Sequence, residues 1–263
     1  MEDGRQRKVV SVFCLLKPES LTAMDSLTTD AFFNGKLHIK QQASGYRFSL
    51  DAILLAWHAG ARADERLLDL GTGCGIIPLI LSYRNPDIVA FGVEIQSDLA
   101  ELAVSNVNAN RMQNSVTVLQ QDMRDLKPDM IGGPVDLVTC NPPYRKPDSG
   151  RINPDAQRAI ARHELKVSLT DVLQTVRRML RTAGRFVTVY TAERIVELLS
   201  QMRLEGIEPK FMRSIHSQPD MEAKLILVDG RKGARPGTRL GPPLIIYDAN
   251  GQYTKEIQGM FIP

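Results

Sequence analysis

The chain has 263 residues, 43% hydrophobic and 24% charged, with a net charge of +3, the make-up of one large folded domain or a domain with an appendage. No run approaches the roughly 20 apolar residues that a membrane-spanning helix needs, so no such helix is expected. Only three cysteines occur, without paired or metal-like spacing, which excludes a disulfide framework or a zinc site and points to reduced thiols in a cytoplasm.

In chain order, "RQRKVVSVFCLL" opens like a secretory leader, with basic residues ahead of an apolar run. It lacks a small-x-small cleavage site, and Lys17-Pro18-Glu19 follows. Met24 reads better as an alternative start, with residues 1–23 an extension outside a single domain spanning 24–263. Within 24–48, Asn34-Gly35 marks a hairpin turn. Over 49–230 apolar runs alternate with helix-period segments. Strands are predicted at Arg66–Leu70, Ile88–Glu94, Val116–Gln120, Val135–Cys140, Arg185–Val189, Phe211–Ile215 and Lys224–Val228. Helices are predicted at Ser49–Ala61, Ile76–Tyr83, Ser97–Asn110, Leu169–Leu180 and Ala192–Arg203. Such alternation implies right-handed crossovers and an α/β, Rossmann-like fold, a mostly parallel sheet with helices on both faces. Ser97 and Thr170 fall where N-caps belong, and Gly184 where a helix terminator belongs. The last segment, 231–263, holds a basic stretch and then "LIIYDANGQYTKEI", read as a second hairpin around Asn250-Gly251.

Between the first core strand and its helix, "LLDLGTGCGIIPLIL" carries Asp69, Gly71, Gly73 and Gly75. Glycines there let the backbone turn tightly and approach a ligand beneath a helix N-terminus. The spacing is G-x-G-x-G rather than the dinucleotide G-x-G-x-x-G, which disfavours an NAD-linked dehydrogenase. An anionic Asp69 suits a ligand with positive charge, and S-adenosyl-L-methionine carries a sulfonium and an ammonium. Glu94 ends the second strand, where an acid in such sheets takes ribose hydroxyls; its carboxylate can accept both. Asp122 follows the third strand and can accept from an adenine amine, with Met123 beside the ring. Each acid lies at the carboxyl end of a successive strand, where these sheets bind ligands.

The fourth strand ends in "TCNPPYRK". Asn141-Pro142-Pro143-Tyr144 beside Asp69 and its glycines resembles class I S-adenosylmethionine-dependent methyltransferases that act on amino groups: adenine N6, cytosine N4, guanine N2 or a glutamine amide. The resemblance implies seven strands in the order 3-2-1-4-5-7-6, the last antiparallel. "GYRFSLDAILLAWHA" and "AIARHE" resemble, more narrowly, the bacterial tRNA methyltransferases that modify adenine N6 at position 37, just 3′ of the anticodon of a valine tRNA. The likeness runs from about Met24 to about Val228. Gln41-Gln42 stands where that group commonly has Gln-Pro, and Arg145-Lys146 where an apolar residue is frequent. By the same resemblance Arg47 and Asp51 pack over the methionine end of the cofactor, meeting its carboxylate and its ammonium.

An exocyclic adenine amine is planar and a poor nucleophile, because its lone pair is delocalised into the ring. Two acceptors at its hydrogens, the Asn141 side-chain oxygen and the Pro142 carbonyl, favour a tetrahedral nitrogen and stabilise positive charge as a methyl arrives. Removing one such partner typically costs about 10²–10³ in rate. The prolines fix torsions and donate no competing N–H. Tyr144 offers a stacking face for a base swung out of its stack. This chemistry needs no metal. Substrate-RNA candidates are Tyr144, Arg145, Lys146, Arg162 and His163 in the long connection after that strand, and Arg231, Lys232 and Arg235 near the end of the chain. The competing readings share the motif: a release-factor glutamine-N5 enzyme, which carries a helical domain too large for the stretch before Arg66, and a ribosomal guanine-N2 enzyme, which commonly has a different aromatic after Asn-Pro-Pro. A non-catalytic cofactor-binding scaffold would have no need of Asn141, Pro142 and Tyr144.

Overall fold

The protein is described by a computed structural model over residues 27–42, 50–142 and 167–262. Met24, Arg47, Tyr144, Arg145, Lys146, Arg162 and His163, all assigned roles above, lie outside those residues.

The chain opens with an antiparallel hairpin, β1 (Leu27–Phe32) and β2 (Leu37–Gln42), whose turn has positive φ at Phe33, Asn34 and Gly35, as Asn34-Gly35 leads one to expect. Helix α1 (Leu50–Ala59) follows. The core then alternates β3 (Arg66–Leu70), α2 (Ile76–Arg84), β4 (Val89–Glu94), α3 (Ser97–Ala109), β5 (Val116–Gln120) and β6 (Val135–Cys140). After it come α4 (Leu169–Met179), β7 (Leu180–Thr191), α5 (Ile195–Leu204), β8 (Ile207–His216), β9 (Ala223–Lys232), two-residue strands β10 (Arg239–Leu240) and β11 (Leu244–Ile245), and α6 (Lys255–Gly259). The sheet runs β10-β8-β9-β7-β6-β3-β4-β5, with β11 also on β8, and β9 is antiparallel to both its neighbours. Numbered from β3, the seven principal strands follow 3-2-1-4-5-7-6, and the order reverses between β3 and β6, where doubly wound sheets open a ligand crevice.

Two apolar cores cover the two faces. Adjacent residues divide between them: Leu67, Leu137 and Val187 face α1, α2 and the hairpin, while Leu68, Val138 and Phe186 face α4 and α5. This is the period-2 alternation of strands buried on both sides.

The ends of elements depart from the sequence reading in instructive ways. The cap of α4 is Ser168, not Thr170: Ser168 Oγ accepts from Asp171 N at 3.1 Å and Asp171 Oδ2 accepts from Ser168 N at 2.8 Å. Only Ser168 has an acid three residues on that can reciprocate, and Thr170, inside the helix, donates to Gln201 instead. Likewise α3 is capped by Gln96, with Ser97 its first residue. Gly184 terminates no helix. It lies within β7, where a Cβ would meet Arg181 O and Leu180 Cδ2 at 2.9 Å each. Strand β8 begins before its predicted start because Pro209 sits at a register shift, where a missing N–H is tolerated. The expected C-terminal hairpin is a turn at Asp248–Gln252 closed by one bridge, Tyr247 to Tyr253. Leu244–Ile245 pairs with β8 instead, and Thr254 caps α6, so its second arm turns helical.

Candidate active site

Strands β3 and β6 are parallel neighbours, with Asp69 level with Thr139 and Leu70 level with Cys140. Asn141 and Pro142, both partly exposed, therefore leave the sheet beside the turn that begins at Gly71. That turn is held from several sides. Gly71 N and Thr72 N donate to Val93 O at 2.9 and 3.0 Å, Gly75 N donates to Thr72 O at 2.9 Å, and Gly73 N donates to Glu94 Oε2 at 3.0 Å. Gly71, Gly73 and Gly75 all have positive φ (68°, 57° and 84°), a region that strains any residue with a Cβ.

Glu94 is 5% exposed, and its other oxygen accepts from Ile95 N and Gln96 N at 2.9 and 3.0 Å. Backbone donors thus take three of its roughly four lone-pair sites. This narrows the sequence expectation, leaving room on Oε2 for one further donor rather than two. Asp69 is fully buried; Oδ1 accepts from Thr139 Oγ1 at 2.7 Å, and Oδ2 has no hydrogen-bond partner. Burial pushes its carboxyl up to about 7; the Thr72 hydroxyl, which makes no well-formed hydrogen bond, and the bonded Thr139 hydroxyl oppose this, and the charge of Glu94 adds to it. An unpartnered buried carboxylate oxygen is costly, and a cationic ligand group would relieve it. Cys74 in the turn and Cys140 at the end of β6 are buried and their thiols are raised, that of Cys74 to about 12, so neither is a ready nucleophile.

Beyond β5, Asp122 caps a one-turn 3-10 helix, Met123–Asp125, accepting from Arg124 N at 2.9 Å and pairing with the Arg124 guanidinium at 2.5 Å. The Met123 carbonyl is fixed from α4, by Thr175 Oγ1 at 3.1 Å and Arg178 at 2.9 Å; Arg178 also donates to Arg124 O and Leu126 O. Asp51 lies in the first turn of α1. Because Arg185, in the first half of β7, donates to Ala59 O at the other end of α1, the Asp51 end points towards the carboxyl ends of the strands, the Asn141 side.

Three of the basic residues assigned to RNA do not join this site. Strand β9 is antiparallel, so its last residues lie at the amino edge of the parallel strands. Arg231 is level with Arg185, whereas Cys140 is level with Thr188, three residues and about 10 Å further along β7. Lys232 donates to Arg177 O and Leu180 O at 2.7 and 2.6 Å, closing the C-terminal end of α4. Arg235 belongs to the same edge, its carbonyl bound by Lys210. Residues that the motifs do not single out complete the arrangement. Thr139 announces itself only as a polar residue in the apolar run "VDLVTC"; Arg178 and Thr175 sit on a helix whose partner loop is about 50 residues away and carry no local signal. Among the described residues no group of three or more His, Cys, Asp or Glu could hold a metal, and no helix is long and apolar enough to cross a membrane.

Residues 49–197 match the family described as methyltransferase small domain. The chain is 29% identical over 238 residues to the tRNA1(Val) (adenine(37)-N6)-methyltransferase of Porphyromonas gingivalis, covering 88% of this chain and 92% of that protein. It is 32% identical over 179 residues to the protein of the same name in Parabacteroides distasonis, covering 68% and 74%. Among solved structures it is similar to a predicted O-methyltransferase from Agrobacterium tumefaciens (TM-score 0.64, 20% identity, 80% and 94% of the two chains). It is similar also to TYW2 of M. jannaschii in complex with AdoMet (TM-score 0.55, 15% identity, 81% and 89%). At these identities the structures speak for the fold alone.

Proposed function

The chain belongs to the methyltransferase small domain family, and on that premise we propose that it methylates adenine N6 in tRNA from S-adenosyl-L-methionine, at position 37 of a valine tRNA. The observation that carries this reading is the register of β3 against β6, Leu70 with Cys140, which sets the glycine turn and Asn141-Pro142 on neighbouring strand ends where the strand order reverses. The names of the relatives, matched over most of their length, support the substrate.

When bound, S-adenosylmethionine supplies an electrophilic methyl on sulfur. The chain's own part is to hold, aim and stabilise. The unpartnered Oδ2 of Asp69 suits the cofactor's ammonium; Asp51, at the start of α1, and Arg47, assigned by resemblance, serve the methionine end. The remaining acceptor site of Glu94 suits a ribose hydroxyl, and Asp122 with Met123 borders the adenine. At the substrate, the Asn141 oxygen and the Pro142 carbonyl accept from the two N6 hydrogens, so positive charge developing on nitrogen meets preorganised dipoles. No side chain needs to take a proton first; the nitrogen sheds one to water after transfer. Tyr144 stacks on the base, and Arg145, Lys146, Arg162 and His163 supply phosphate contacts along the same connection. A tRNA substrate makes the cytoplasm the working compartment.

The test is transfer of a labelled methyl group to bulk tRNA, release factor and ribosomal subunits, followed by nucleoside analysis. N6-methyladenosine in valine tRNA is expected. Label confined to protein, or appearing as a methylated guanine, would overturn the substrate.

A further inference from the structure

Helix α3 and its C-cap present two asparagines one turn apart, Asn106 and Asn110, and each treats β2 as a neighbouring strand would. Asn106 Oδ1 accepts from Lys40 N at 2.8 Å while its amide donates to Lys40 O at 2.8 Å. Asn110 Oδ1 accepts from His38 N at 2.9 Å while its amide donates to His38 O at 2.6 Å. The repeats match: four helical residues rise about 6.0 Å and two strand residues about 6.7 Å. Side chains at i and i+4 of the helix therefore meet alternate residues of the strand, closing the edge of β2 that β1 does not cover.

The two asparagines differ in their second amide hydrogen. That of Asn110 returns to Asn106 O in its own helix, at 2.8 Å. That of Asn106, which is fully buried, reaches out of the helix to Cys74 O at 2.9 Å. Cys74 lies inside the glycine turn. The peptide between Cys74 and Gly75 is thus held at both ends, its carbonyl by Asn106 and its N–H by Thr72 O. It is also the joint where the turn becomes α2, and Ala103 of α3 lies only 3.3 Å from where a Gly75 Cβ would be. One buried amide therefore joins the N-terminal hairpin, α3 and the turn beneath the crevice.

We propose that Asn106 is a positioning residue for S-adenosylmethionine, which couples docking of the hairpin to the shape of the glycine turn; the inference rests on reading that turn as the cofactor's cradle. Without the Asn106 donor, the Cys74 carbonyl is a buried acceptor lacking its partner, and the turn must rotate to satisfy it. Asn110 is the built-in control, because it makes the same kind of contact to β2 and none to the turn.

Calorimetric binding of S-adenosylmethionine and S-adenosylhomocysteine is compared in wild type, Asn106→Ala, Asn106→Asp, Asn110→Ala and Asp69→Asn, with thermal unfolding of each ligand-free protein. Asn106→Asp keeps an acceptor for Lys40 N and loses both donors, so it serves if the alanine variant does not fold. Both asparagine positions should lower Tm. Only the Asn106 variants should weaken binding, by about tenfold, the scale of one lost buried hydrogen bond, with a matching rise in cofactor KM at unchanged kcat. Equal affinity changes at positions 106 and 110, or none at 106, would overturn the inference. Loss of binding in Asp69→Asn with normal binding in the Asn106 variants overturns the coupling alone. Wild-type binding in Asp69→Asn overturns the cradle and the coupling together.

Discussion

Asp69 is held between β3 and β6 with one oxygen bound by Thr139 and the other without a partner. Its pKa is raised by burial from 3.8 to about 7 in the folded protein, so between those values the folded state keeps a proton that the unfolded chain has released. Stability of the ligand-free protein from this group is therefore greatest at the acid end of that window and falls as pH rises through it. Asp69→Asn should raise the ligand-free Tm at about pH 8 by several degrees and change it little near pH 4, read by thermal unfolding. The same substitution removes the anion offered to the cofactor. Wild-type affinity for S-adenosylmethionine should tighten from about pH 6 to about pH 8, and that of the variant should be weak and flat. Asn141→Ala separates the other half of the site: transfer should fall by at least about 10²-fold while cofactor affinity changes little, by single-turnover kinetics and calorimetry. Equal loss of both would make Asn141 a cofactor residue first.

Helix α4 joins the long connection after the Asn-Pro-Pro-Tyr motif to the turn at Met123. It starts on the reciprocal Ser168–Asp171 cap and clasps that turn through Thr175 and Arg178. Ser168→Ala should cost about 1 kcal/mol in denaturant unfolding, whereas Thr170→Ala, which removes an exposed hydrogen bond to Gln201, should cost less. Strand positions were legible because their apolar runs are bounded by charges and turns: β3, β5 and β6 coincide with the runs at Arg66, Val116 and Val135. Helix and strand ends were less so. The cap of α4 depends on a reciprocal pair rather than on one good capping residue, and β7 runs straight on from α4 through Ala183 (φ 61°) and Gly184, where helix-stop grammar expects a break.

At the scale of the whole molecule, the basic segment after β9 and the Asn141 crevice fall on opposite edges of the sheet. Arg231, Lys232 and Arg235 occupy the amino edge, with Lys232 engaged by the end of α4, and the Asn141 crevice opens at the carboxyl edge. Lys232→Ala should therefore lower stability, while tRNA affinity and its dependence on salt stay as in wild type. Arg145→Ala combined with Lys146→Ala should weaken binding and flatten the salt slope by about 1–2, in filter-binding titrations. What the sequence by itself determined was local: the acid-and-glycine turn, the Asn-Pro-Pro-Tyr motif at a strand end, and the alternation that makes a parallel sheet. All of these depend on residues close together in the chain. Only the tertiary structure decided which groups meet across it: Thr139 with Asp69, Asn106 with Lys40 and Cys74, Arg178 with the Met123 turn, and Lys232 away from the crevice. A hydrogen bond forms wherever packing brings donor to acceptor, whatever their separation in sequence, and the direction of β9, set by its pairing with β7 and β8, turned a basic segment to the far edge.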